Sequence, residues 1–192
     1  LELAENGSEP ASHCDHIFVD RSDDARTANG VIRQVGPHIP VGALQFYGPL
    51  VDHLEQGGFT VYPYGYDWRL DLRGVADDLD QFIQDVLDET DADQVNIVDH
   101  SLGGLLARHY VTSDPMRAAK IEQVISLGSP FLGAPKTLKA LRWGDPGIEV
   151  LWGVLGIYPP RAKALAQTSP AMYQILPTEG YFDVYGCGYY RV

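Results

Sequence analysis

Val95-Asn96-Ile97-Val98-Asp99-His100-Ser101-Leu102-Gly103-Gly104-Leu105-Leu106-Ala107-Arg108 is the stretch on which the fold turns. A short, β-branched apolar run ends in a serine, and two glycines then open an amphipathic segment. The pattern predicts a strand, a sharp turn and a helix with a hydroxyl at the apex, which is the layout of a nucleophile elbow. Such a turn lifts Ser101 Oγ above the sheet edge. It also sets the backbone N–H of Leu102 at a helix N-terminus, where orphan donors and the helix dipole stabilise an oxyanion. Gly103 and Gly104 let helix and strand approach closely, which a Cβ would hinder. The competing reading is an ordinary strand-turn-helix crossover with an idle serine.

The match to G-x-S-x-G fails at one of its three fixed positions, because Asp99 stands where the first glycine belongs. A carboxylate there adds bulk to a crowded turn and negative charge near a developing oxyanion. At roughly 6 Å and an effective dielectric of about 20, the repulsion would be about 3 kcal/mol. Arg69 or Arg108 would cancel it if either lay nearby.

The 192 residues have the length of one ordinary domain, and a hydrophobic content of 45% suffices for a sizeable core. A formal net charge of −12 argues against nucleic acid, whose phosphates would be repelled. It also weighs against electrostatic docking on anionic membranes. No apolar run reaches the eighteen or so residues that span a bilayer. The first residues are polar and acidic, without the basic start and apolar core of a signal peptide, and the compartment stays open. Cys14 and Cys187 lie near opposite ends and read as two unrelated thiols rather than a staple. No clustered His/Cys spacing suggests a metal, and no cofactor is called for.

Residues 1–16 form a polar lead-in, and Ile17-Phe18-Val19 is a short strand candidate. The stretch from Asp20 to Pro49 is turn-rich and reads as irregular; His13, His16 and His38 read as surface histidines. Leu50 to Gln56 fits a short helix stopped by Gly57-Gly58. Phe59 to Tyr62 follows as a strand ended by Pro63, and Tyr64 to Arg69 as an aromatic loop. From Val75 the helical period is plain: Val75, Leu79, Phe82, Ile83, Val86 and Leu87 share one face, with Asp77, Asp78, Asp85 and Asp88 on a solvated one. After the elbow, Leu102, Leu105, Leu106, His109 and Tyr110 form one stripe, which gives His109 a packing role. Gln123 to Leu127 is the next strand. This alternation of strand and helix predicts a parallel sheet with covering helices. Residues 134–176 change character: Ile148 to Tyr158, which includes Trp152, is apolar and aromatic, either a buried helix or a cap over an apolar pocket. Tyr181 to Val192 reads as a strand or loop.

Several matches fall in order along the chain: Gly65-Tyr66-Asp67-Trp68-Arg69, then His100 to Gly104 with Arg108 and Tyr110, then Ile125-Ser126-Leu127-Gly128-Ser129-Pro130-Phe131-Leu132-Gly133-Ala134, and finally Ser169-Pro170-Ala171-Met172-Tyr173 to Leu176-Pro177. Together, over about residues 45–180, the set resembles the lecithin:cholesterol acyltransferase family of α/β-hydrolases, particularly its bacterial lipase-like members. The resemblance implies an α/β-hydrolase core over 1–133 with a mostly parallel sheet flanked by helices. It implies a cap over 134–176 and the start of a returning core strand over 177–192. It also implies a serine enzyme that passes an acyl group from a lipid ester to an alcohol or to water. Ser101 matches the nucleophile and the Leu102 N–H an oxyanion donor. Asp67 and Trp68 match a signature near the acyl-binding region, and Trp152 lies in the cap.

A serine hydroxyl needs a base, itself oriented by a carboxylate, and this fold carries them in the order Ser, Asp, His. The only histidine after Ser101 is His109, eight positions along the elbow's own helix and so about 12 Å down its axis. No Asp–His pair follows the cap, and no Pro-Gly or His-Gly oxyanion loop precedes the elbow. Early and late strands are therefore expected to be missing, and the sequence reads as the middle of a longer hydrolase. A non-catalytic relic that binds lipid or a partner protein is the alternative, and a generic carboxylesterase is a third reading. Sheet edges left open would favour self-association.

Overall fold

The computed structural model describes residues 20–22, 25–27, 34–35, 44–45, 47–144 and 159–185. Ile17-Phe18-Val19, Trp152 with the apolar run around it, both cysteines and residues 186–192 lie outside the described residues. The chain divides into two compact units, one of them Asp15–Asp67, the other running from Trp68 onward and including Leu1–Cys14.

Within Asp15–Asp67, β1 (Asp20–Ser22) pairs antiparallel with β2 (Ala25–Thr27), and β3 (Gln34–Val35) with β4 (Leu44–Gln45). These short ladders fall in a stretch whose composition reads as irregular. Helix α1 (Gly48–Gln56) starts two residues before the expected Leu50, because Pro49 fits the first turn, where its missing N–H costs nothing. Gly57 and Gly58 end it, and the Gly58 backbone at φ +88° suits a residue without a side chain. Phe59 to Tyr62 forms no strand. Its alternating residues satisfy a strand's side-chain pattern, but a strand also needs a neighbouring ladder, and none of the described strands pairs with it.

From Trp68 onward, helix α2 (Leu72–Thr90) follows its periodicity: Leu72, Val75, Ala76, Leu79, Ile83, Val86 and Leu87 are buried. Asp71 caps it by accepting the Arg73 N–H at 2.9 Å, and the helix stops where Asp91 turns left-handed at φ +53°. β5 (Val95–His100) leads into α3 (Leu102–Ser113). Asp114 closes that helix and caps α4 (Pro115–Ala119) through the Met116 N–H at 2.8 Å. β6 (Ile121–Leu127) lies parallel to β5, with Asp99 opposite Ser126 and His100 opposite Leu127. The parallel pair with helices between its strands is an α/β arrangement. Among the described residues its sheet has these two strands.

Residues 134–176 are helical where described: α5 (Lys136–Trp143), α6 (Pro159–Thr168) and α7 (Pro170–Gln174). Helices α5 and α6 pack together, and Gln167 Nε2 donates to the Leu141 carbonyl at 3.1 Å. Helix α7 docks on the start of α2, where Gln174 accepts the Leu72 N–H at 3.0 Å and donates to Asp71 at 2.7 Å. Residues Glu179–Tyr185 form helix α8, so the expected returning strand is not found there. The Tyr/Gly composition that suggested it gives way to a tilted contact of the Tyr181 ring with that of Tyr185, centroids 4.8 Å apart, one helical turn along. None of the described helices is long and apolar enough to cross a membrane.

The core lies between α2 and α3, where Leu106, Ala107 and Tyr110 meet the buried face of α2. The α3 stripe is displaced from the expected one: Gly104 and Ala107 are buried, whereas Leu102, Leu105 and His109 are half-exposed. Gly104 faces Asp99 and Ser129 on the sheet side, where the lack of a side chain lets the helix approach. Tyr110 is fully buried and donates to Asp80 at 2.7 Å, and Lys120 Nζ reaches the same oxygen at 2.9 Å. Burial and the adjacent Asp80 carboxylate push the Tyr110 phenol well above its usual range. Partial burial alone would raise Asp80, but the hydrogen bonds from Lys120 and Tyr110 outweigh it and hold the carboxyl low.

Candidate active site

The site grows out of the turn between β5 and α3. Ser101 sits at φ +55°, ψ −118°, a conformation that an L-residue adopts only at a cost of about 1–3 kcal/mol. The flanking elements impose it. The Ser101 N–H donates to the Leu127 carbonyl at 3.0 Å, extending the parallel ladder one residue past β5. The Ser101 carbonyl already accepts from Gly104 N at 3.1 Å, beginning the helix. One residue thus ends a strand and starts a helix, which forces the side chain out of the turn. Ser101 Oγ makes no hydrogen bond, and the Leu102 N–H has no protein acceptor, among the described residues. A hydroxyl at the apex of the turn beside a free helix-end donor is a geometry in which an oxyanion formed at that hydroxyl could be met by the donor.

Asp99 is 8% exposed and turned beneath the first turn of α3. Its two carboxylate oxygens are each met by a hydroxyl: Ser126 Oγ donates to Oδ2 at 2.6 Å and Ser129 Oγ to Oδ1 at 2.7 Å. Neither Arg69 nor Arg108 is needed to answer the charge, since two hydroxyl dipoles and the positive end of α3 stabilise it. Gly104 is what makes room. A Cβ there would lie 2.1 Å from Ser129 Oγ and 2.7 Å from Asp99 Oδ1. The sequence shows both serines, but only the strand register, which sets Asp99 against Ser126, reveals what they do. Aligning the last residues of the two strands would have found the pair.

Asp67 and Arg69 are buried, at 6% and 1% exposure, and Trp68 between them is half-exposed. The Arg69 carbonyl accepts Ala171 N at 3.5 Å, which ties this segment to α7. The loop after β6 is pinned in the same way: Ala134 N donates to the Ile175 carbonyl at 2.8 Å and Thr178 N to the Leu132 carbonyl at 2.9 Å. Gly133, at φ +93°, allows that approach, since a Cβ would lie 2.2 Å from the Leu176 carbonyl oxygen. His100, next to Ser101, is exposed, and His109 faces a groove on the flank of α3. Of the segments that carried the resemblance, Arg69 is tied to 169–177, 125–134 to 169–177, and 100–104 to 125–134. Trp152 is the exception, outside the described residues.

Residues 39–183 match the model of the lecithin:cholesterol acyltransferase family. The chain belongs to that family. It is 32% identical over 122 residues to the uncharacterized protein YJR098C of Saccharomyces cerevisiae, a match covering 59% of this chain and 18% of the yeast protein. It is 30% identical over 97 residues to lecithin-cholesterol acyltransferase-like 4 of Arabidopsis thaliana, covering 47% of this chain and 18% of the plant protein. The matched region therefore spans under a fifth of these two curated relatives. Family membership supports lipid acyltransferase or esterase chemistry at the level of the family, and a full hydrolase sheet is a further step.

Proposed function

We propose that the protein is a lipid O-acyltransferase or lipid-ester hydrolase of α/β-hydrolase type in which Ser101 is the nucleophile. The observation that carries this reading is the positive φ of Ser101 at the strand–helix junction, with the Leu102 N–H free beside it. Ser101 Oγ attacks the acyl carbon of a lipid ester and gives its proton to a base, and the carbonyl oxygen becomes an oxyanion facing the Leu102 N–H. Collapse expels the lipid alkoxide, which takes the proton, and leaves an acyl-serine. An alcohol or water then attacks that ester and restores the hydroxyl. The base and its orienting carboxylate are assigned to parts of the full-length protein outside these 192 residues, given the share of the relatives that the chain spans. Asp67, Trp68 and Trp152 are assigned to substrate binding, with 134–176 acting as a cap.

A non-catalytic relic is favoured by one observation, the lack of any hydrogen-bond partner on Ser101 Oγ among the described residues. Fluorophosphonate labelling separates the two, because the probe reacts with activated serines and ignores idle ones. Full-length protein should label at least tenfold faster than its Ser101→Ala variant. Equal labelling of the two, in samples shown to be folded, would overturn the catalytic reading.

A further inference from the structure

A groove of about 550 Å3 runs between the start of α2, the middle of α3 and the end of α7. Arg73, Arg108, His109 and Thr112 line its polar part and Leu72 and Leu105 its apolar part. We propose that it is a binding site for a phosphate ester. The oxyanion is held by Arg108, His109 and the free Nη1 of Arg73, and the ester's apolar substituent lies against Leu72 and Leu105.

The sign of the groove is the first argument. The chain carries 26 acidic residues to 14 Lys and Arg, yet no carboxylate is among the described residues lining the groove. Asp71 is adjacent, but its charge is already met by Arg73 and by Gln174. Those bonds use Arg73 Nε and Nη2 and leave Nη1 available. Arg108 has no carboxylate partner among the described residues, so the groove holds one unanswered guanidinium charge, with the His109 ring nitrogens beside it.

Donor geometry is the second argument. The Arg108 guanidinium lies over the Phe131 ring at 5.8 Å, and its N–H groups have no acceptor among the described residues. Those groups match two oxygens of one phosphate at once, which a lysine would not. Donors from three side chains suit a tetrahedral dianion better than a planar carboxylate. The groove is also far larger than one phosphate group, and its two leucines offer a place for an attached chain. At 1.5 Å per residue, Arg108 lies about 10 Å along α3 from Ser101, so the site is separate from the nucleophile. It stands whether or not Ser101 is catalytic.

Butyl phosphate titrated into the full-length protein, followed through the backbone amide NMR signals of α3 residues 105–112, tests it. A saturable shift is expected, several-fold tighter than with inorganic phosphate. Arg108→Ala and His109→Gln, each with an unchanged far-UV circular dichroism spectrum, should weaken it at least tenfold and several-fold respectively. Ser101→Ala should bind within twofold of the parent. Co-sedimentation with phosphatidic acid vesicles, against phosphatidylcholine vesicles as control, identifies the source. Binding to both butyl phosphate and phosphatidic acid assigns a lipid headgroup, and binding to butyl phosphate alone a soluble ester. No saturable shift, an unchanged affinity in both groove variants, or loss of binding in Ser101→Ala overturns the proposal.

Discussion

Replacing Gly104 with alanine tests the packing beneath the elbow. The new Cβ would lie 2.1 Å from Ser129 Oγ, 2.3 Å from Ser129 Cβ and 2.7 Å from Asp99 Oδ1. Because Ser129 Cβ is itself in the way, relief requires the Ser129 backbone to withdraw and its bond to Asp99 to be given up, a loss of about 1.5–3 kcal/mol for a charge-assisted bond. Residual overpacking adds about 1–3 kcal/mol, and alanine returns about 1 kcal/mol of helix propensity. The net expectation is a destabilisation of about 2–5 kcal/mol. Gly103→Ala is the matched control, because its Cβ would meet only Asp99 Cβ at an ordinary 3.5 Å. It should be neutral, or more stable by up to ~1 kcal/mol. Urea unfolding followed by far-UV circular dichroism measures both, provided the slopes agree. In a Ser129→Gly background, which removes the two closest clashing atoms, the Gly104→Ala penalty should shrink by more than ~1 kcal/mol. If Gly104→Ala proved as stable as Gly103→Ala, the Asp99–Ser129 contact would not be holding α3 against the sheet.

Two further substitutions probe the supports of the site. Tyr110→Phe should cost about 1–2 kcal/mol at neutral pH by removing the hydrogen bond to Asp80. Because the folded Tyr110 phenol is raised, its contribution is complete below about pH 10 and lost as pH climbs toward the folded value. Asp80 is lowered, so its contribution is present above about pH 4 and lost on further acidification. The gap between parent and variant urea midpoints should therefore narrow above pH 10; a gap as wide at pH 10.5 as at pH 7 would refute the linkage. Gly133→Ala should cost more than ~3 kcal/mol, since the φ of +93° and a Leu176 carbonyl oxygen 2.2 Å away leave no room. Proteolytic cleavage rates in 131–134 and 175–178 should both rise, and an unchanged pattern would mean the two loops are not coupled.

Legibility followed how local the determining forces are. The elbow could be read because a strand, a serine and two glycines define it within a few residues. Helix α2 could be read because its apolar period runs unbroken for five turns. Asp99 could be located but not understood, since its partners Ser126 and Ser129 arrive from the next strand and its turn, about 30 positions away. Phe59 to Tyr62 has strand-like residues and forms no strand, because a ladder is a property of two segments. Residues 179–185 form a helix where a strand or loop is expected, with the Tyr181 and Tyr185 rings in tilted contact one turn apart. The groove of Arg73, Arg108 and His109 is assembled from helices that meet only in the fold, and no motif announces it.

The backbone of Ser101 has a consequence for how its hydroxyl is tested. At φ +55° any residue with a Cβ bears the same tension, so alanine removes the oxygen and leaves the turn as it was. Glycine removes the oxygen and relaxes the turn together. A change seen with alanine reports on the hydroxyl, whereas one seen only with glycine reports on the shape of the junction. The two variants are different experiments, and a library selected for stability alone would drift toward glycine at position 101.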